Sequence, residues 1–145
     1  FHSPVEWTGI GFLSIDKTAP GQGLEVGKKL ATLVPITKTL IVVDKDVDVL
    51  NRTEVMQAVG ARWQPYPAAE IIKEARGMPL DPSAPKRPMS SKIVIDATRQ
   101  WPEEGGPAVY PERNRDLLNK LAPEAKKLVD ARWEEYMRGW KRDRG

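Results

Sequence analysis

Apolar positions along the chain fall in short blocks whose spacing switches between two and about four, the pattern of strands alternating with helices. Gly11-Phe12-Leu13-Ser14-Ile15-Asp16 alternates well enough for a strand, and Pro20-Gly21-Gln22-Gly23 turns the chain out of it. Leu24, Val26, Leu30, Ala31 and Leu33 then suit a short helix, in which Gly27 lowers the intrinsic propensity. The run Thr39-Leu40-Ile41-Val42-Val43, closed by Asp44, is the mark of a strand buried on both faces of a parallel sheet. Asn51-Arg52-Thr53-Glu54 can cap a second helix whose Val55, Met56, Ala58 and Val59 would face that sheet. Two more strands are predicted at 69–73 and 91–96, with a loop at 77–88 too rich in proline for a helix or a central strand.

Beyond the last strand, residues 101–111 carry Pro102, Gly105, Gly106, Pro107 and Pro111 and read as a connector with no core of its own. Pro123 suits the first turn of a final helix running to about Trp140, with Ala125, Leu128, Val129, Ala131, Trp133, Tyr136 and Met137 as its apolar stripe. The expected fold is therefore α/β, a small open sheet of parallel-type strands flanked by helices, with an extended C-terminal helix. Residues 1–110 would form the α/β domain and 111–145 a helical extension. The aromatic residues Trp133, Tyr136 and Trp140 would let that extension pack on a partner subunit or on its own sheet.

Composition narrows the class. The 145 residues are 40% hydrophobic and 30% charged, and no apolar run approaches the ~20 residues of a membrane span. With no cysteine there is neither a disulfide framework nor a thiolate metal site, so a reducing, cytoplasmic setting is the expectation. The net charge of +3 is interleaved with acids, and the densest basic stretch, 138–144, reads as a solvated tail, against nucleic acid as a partner. The chain opens on Phe1 with no signal-peptide pattern, as a segment cut from a longer protein would.

Candidate chemistry is sparse. Asp44, Asp46 and Asp48 sit at the carboxyl end of the best strand, where open α/β sheets bind ligands. An EF-hand fails, because the positions that need Gly and Glu hold Val49 and Val55. Asp46-Val47-Asp48 fits the DxD by which a glycosyltransferase-like domain holds a divalent cation on a nucleotide diphosphate. The plainer expectation is that these acids cap the next helix and pair with Lys or Arg. The Pro20–Gly23 turn could offer N–H groups to a phosphate but reads as a tight strand-to-helix turn without a P-loop lysine. His2, the single histidine, lies at a start expected to be mobile, which argues against a catalytic triad or a histidine zinc site. Glu70, Glu74, Glu103 and Glu104 read as solvated surface, and no catalytic or metal-binding residue is assigned.

Taken as a string, Val42-Val43-Asp44-Lys45-Asp46-Val47-Asp48-Val49, then Val55 to Ala58, then Arg62-Trp63-Gln64-Pro65, resembles the UbiD family in order and content. Arg76-Gly77-Met78-Pro79-Leu80-Asp81-Pro82-Ser83 is similar to that family's RGxPLDPS loop. Ser91-Lys92-Ile93-Val94-Ile95-Asp96-Ala97-Thr98 with Trp101-Pro102 is similar to its SKxxIDAT…WP stretch, and Ser14 to Gln22 to its SIxKxxPG segment. The resemblance covers about 11–101 and points to the family's C-terminal domain. It implies a part of a reversible decarboxylase, or carboxylase, of aromatic or α,β-unsaturated acids. The chemistry would belong to prenylated FMN with a divalent metal and, optionally, a monovalent cation, bound mainly by domains outside this chain. It further implies that Met78, with Pro79 and Leu80, faces the substrate. The partners implied are the flavin-binding domains or a companion subunit, in a homo- or hetero-oligomer. An assembly or binding module without substrate contact is the alternative.

Overall fold

The computed structural model describes residues 1–4, 8–111 and 114–140, with the side chains of 114–116 and 139–140 left aside. Two compact units emerge, Phe1–Ala108 and Val109–Gly145.

The first unit is a sheet with one helix on each face. β1 (Ile10–Ile15), β2 (Thr39–Asp44), β3 (Ala69–Arg76) and β4 (Met89–Asp96) lie in the order β1-β2-β4-β3. β1, β2 and β4 are parallel, whereas β3 runs antiparallel to β4. The sheet is thus mixed, because the proline-rich segment between β3 and β4 carries no helix, and a return without a crossover sets neighbouring strands antiparallel. β2 is central and its alternation separates two cores. Leu40 and Val42 pack with Ala31 and Val94 under α1 (Gln22–Leu33), and Ile41 and Val43 pack with Phe12, Val47, Val55 and Ala58 under α2 (Arg52–Arg62).

The buried stripe of α1 differs from the one its aliphatic residues suggest. Gly23, Gly27 and Ala31 are the buried positions, while Leu33 is 76% exposed. A Cβ on Gly27 would overlap the side chain of Val94, and one on Gly23 the carboxylate of Asp96. Small residues here let the helix backbone approach the sheet, so the low propensity of Gly27 is exchanged for packing. On the other face, Asn51 Oδ1 caps α2 by accepting from Thr53 N–H at 3.1 Å and Glu54 N–H at 3.4 Å. Val55 and Ala58 of α2 are buried, but Met56 points away from the sheet and is 50% exposed.

At the free edge of β1, His2 pairs with Phe12 through two backbone hydrogen bonds of 2.8 Å, so it is anchored rather than loose. In the second unit the single helix expected from Pro123 is two. α4 (Pro123–Ala131) and α5 (Trp133–Trp140) meet at Arg132, preceded by α3 (Asn114–Leu121). Arg132 leaves the helical region at φ −107° and ψ 10°, and its side chain pairs with Glu135 at 2.7 Å and stacks over Tyr136. Part of the basic stretch 138–144 lies outside the described residues. No helix among the described residues is long and apolar enough to cross a membrane.

Candidate functional site

Polar clusters occupy both ends of the sheet. At the carboxyl ends, where the sequence drew attention to Asp44, Asp46 and Asp48, the acids meet cations from the same unit. Arg62, buried at the end of α2, donates to Asp44 at 2.7 Å and to both oxygens of Asp46 at 3.1 and 3.0 Å. Arg99 follows β4 and reaches Asp46 at 2.7 Å, while its backbone N–H donates to Asp44 at 2.9 Å. Partial burial works against the charge of Asp46, but the hydrogen bonds from Arg62 and Arg99 outweigh it and hold the carboxyl at about 2. Asp48 closes a turn by accepting from Leu50 N–H at 2.9 Å. Pairing with arginine matches the plainer expectation, whereas the capping role belongs to Asn51. Among the described residues, no three His, Cys, Asp or Glu side chains converge as a metal site.

Beside this cluster lies a second one that the sequence reading misassigned. Glu104 is not solvated surface: it stands on a single 3-10 turn, Pro102–Glu104, with its side chain 8% exposed against a Lys17 side chain that is 2% exposed. Its carboxylate also accepts from the backbone N–H groups of Gly21 and Trp101, each at 2.7 Å. Burial pushes the Glu104 carboxyl up, but Lys17 and the two N–H groups more than offset this and lower it. Lys17 continues to Thr98 Oγ1 at 3.1 Å, which donates to the buried Asp96 at 2.6 Å. The connector therefore folds back on the sheet, and the Gly21 N–H that might have met a phosphate meets Glu104 instead.

The opposite, amino end is less charged and more open. A cavity of about 370 Å³ is lined by Ile36, Thr37 and Lys38 ahead of β2, Met78 and Asp81 of the 77–88 loop, and Lys92 of β4, among others. That volume lies in the range of small-molecule pockets. Lys92 is buried, and its ammonium donates to the carbonyls of Ala31 at 2.6 Å and Val34 at 3.1 Å at the end of α1. Burial lowers its pKa, while the carbonyl end of the helix favours the cation. Asp81 is 4% exposed and accepts from Lys38 Nζ at 2.9 Å, Ser83 Oγ at 2.8 Å and Ser90 Oγ at 3.3 Å. The hydrogen bonds from Lys38 and from the backbone N–H and hydroxyl of Ser83 hold the Asp81 carboxyl at about 2.

Of the three residues implied as substrate contacts, Met78 is half-buried on the cavity lining, while Pro79 and Leu80 point outward, Leu80 at 76% exposure. Lys38 and Asp81 went unassigned in the sequence. The only signal for them was the Asp-Pro-Ser order at 81–83, which favours an Asx-type turn.

A mixed sheet with one helix on each face, a charged carboxyl edge and a cavity at its amino edge defines a small α/β domain. Its family is specific: residues 1–97 match the model for the 3-octaprenyl-4-hydroxybenzoate carboxy-lyase C-terminal domain, and the chain belongs to this UbiD C-terminal family. That membership replaces the DxD glycosyltransferase-like reading. A phenolic acid decarboxylase of Sedimentibacter hydroxybenzoicus is 43% identical over 74 residues, 51% of this chain and 15% of that protein. The vanillic acid decarboxylase structure from the same organism superposes with a TM-score of 0.64 at 32% identity, over 81% of this chain and 26% of that one. The UbiD-class enzyme HmfF of Pelotomaculum thermopropionicum, solved with FMN, gives 0.62 at 31% identity, over 70% of this chain and 22% of that one. The chain spans about a quarter of the length of such relatives, 26% and 27% for two archaeal proteins that it matches along most of its own length.

A flavin phosphate with its metal needs free N–H groups, cations or a converging ligand set. Here Lys17 and the Gly21 N–H are taken by Glu104, and Arg62 and Arg99 by aspartates. The described residues do not fit that group.

Proposed function

We propose that this chain is the C-terminal domain of a prenylated-FMN-dependent, reversible decarboxylase of an aromatic or α,β-unsaturated acid. In this reading it supplies part of the pocket wall and contacts between subunits, while acid, base and cofactor ligands come from domains outside these residues. The flavin, with a divalent metal and optionally a monovalent cation, supplies the electron sink for decarboxylation. The observation that carries the wall role is Met78, half-buried on the lining of the amino-edge cavity. An unbranched thioether suits an adaptable apolar wall. The aromatic acids named for the relatives support the substrate class.

The test is Met78→Ala in the full-length enzyme. Loss of uniform apolar contact should raise KM about 10- to 200-fold, by roughly 1–3 kcal/mol of binding, and broaden the range of acids accepted. Unchanged turnover of every substrate with assembly intact would remove the wall role.

A second reading, an assembly module without substrate contact, is favoured by the exposure of Leu128, Val129, Trp133 and Tyr136 on α4 and α5. The two readings part on Met78: the assembly module predicts no kinetic change there.

A further inference from the structure

The loop that carries Met78 has little apolar anchorage of its own, since Pro79, Leu80, Pro82 and Ser83 are exposed. It is held instead by polar contacts: the Gly77 N–H donates to the Pro88 carbonyl at 2.7 Å, Lys38 Nζ donates to Ser83 Oγ at 2.6 Å, and the Asp81 side chain gathers the rest. Asp81 is turned inward at 4% exposure and binds three elements at once: Lys38 at the start of β2, Ser90 of β4 and Ser83 of its own loop. Its backbone extends the same knot, with its N–H donating to the Met78 carbonyl at 3.1 Å and its carbonyl accepting from Arg87 Nε at 3.1 Å. Lys38 in turn is held by the sheet, its N–H donating to Gly9 at 2.7 Å and its carbonyl accepting from Ile93 N–H at 2.9 Å. Met78 and Asp81 are therefore two ends of one turn, one end on the cavity and the other bolted to the sheet.

We propose that Asp81 is a positioning residue, which through Lys38 and Ser90 fixes the 77–83 loop so that Met78 stays on the cavity wall. The inference rests on the reading of Met78 as a substrate wall for its effect on turnover, but not for the anchoring itself. A charged acceptor satisfied by several donors is stronger than neutral hydrogen bonds, and a buried carboxylate has no low-cost alternative geometry. Apolar wall and ionic anchor then divide the work: Met78 adapts to the ligand while Asp81 limits how far the loop can move.

The experiment uses the full-length enzyme carrying methyl-¹³C methionine, with the Met78 signal assigned by Met78→Leu. Asp81→Asn and Lys38→Met should each shift and sharpen the Met78 methyl resonance, as the methyl leaves a packed wall for solvent. Lys38→Arg, which keeps the charge, should restore the wild-type signal. A wall misplaced by about 1 Å lowers kcat/KM by up to about 100-fold, and for a binding wall this loss should sit in KM with kcat nearly unchanged. Should Asp81→Asn fail to fold, Lys38→Met decides the matter, because its side chain is 41% exposed and its loss leaves the cores intact. An unchanged Met78 resonance in Lys38→Met overturns the proposal. A shifted resonance with unchanged kcat/KM upholds the anchor and overturns instead the wall reading beneath it.

Discussion

Lys17 and Glu104 form the most enclosed ion pair among the described residues, and what removing one partner does depends on the other. Lys17→Met leaves a buried carboxylate facing only N–H groups, which should cost about 3–5 kcal/mol in urea unfolding. The double variant Lys17→Met with Glu104→Leu should recover much of that loss, because replacing both members of a buried pair by apolar groups is close to neutral. Acid acts on the same chemistry. Asp46 and Asp81 are held at about 2 and Glu104 is lowered, so each contributes stability above the ordinary carboxylate range near pH 4. That contribution is lost as pH falls through the folded values, toward about 2 for the two aspartates. Unfolding followed between pH 5 and pH 2 should therefore show a decline that is shallower in Asp46→Asn; an identical slope would exclude Asp46 from the acid response. That Asp46 would meet a Lys or Arg was expected from the sequence, but which residue each acid meets was not legible there. Glu104 lies 87 positions from Lys17, and nothing in a proline-glycine connector signals that it folds back.

Two glycines of similar sequence context have opposite roles at the scale of elements. Gly27 lies in α1 where a Cβ would strike Val94, and Gly60 lies in α2 where a Cβ would meet nothing within 4 Å. Gly27→Ala gains helix propensity but must push α1 off the sheet, so a net loss of about 1–3 kcal/mol is expected. Gly60→Ala gains propensity at no steric cost and should stabilise by about 0.5–1 kcal/mol. Thermal unfolding of the two variants in the same background checks the pair, and a stabilising Gly27→Ala would contradict the close approach of α1. The elements themselves were largely legible, since Leu40 to Val43 and the Asn51 cap carry strong local signals. The buried face of α1 was not, because a Gly-Gly-Ala stripe has no hydrophobic period to read. The break at Arg132 was equally silent, as the apolar stripe passes through it.

For the whole molecule, the exposed Leu128, Val129, Trp133 and Tyr136 bear on the assembly reading. If α4 and α5 contact another subunit, Trp133→Asp should lower the oligomeric mass of the full-length protein in native mass spectrometry without changing the fold of the first unit; an unchanged mass would end that role. The sequence alone determined the α/β class, the central strand, the capped second helix and the family, because these rest on local periodicity, turn chemistry and the order of short motifs. Only the tertiary structure decided what the polar residues do. It set Asp44 and Asp46 against Arg62 and Arg99, closed the glycine turn with Glu104, and brought Lys38 and Asp81, 43 positions apart, into one anchor beneath Met78. The physical reason is range: a periodic pattern is written in neighbouring residues, whereas a charge finds its partner across strands that only the folded sheet makes adjacent.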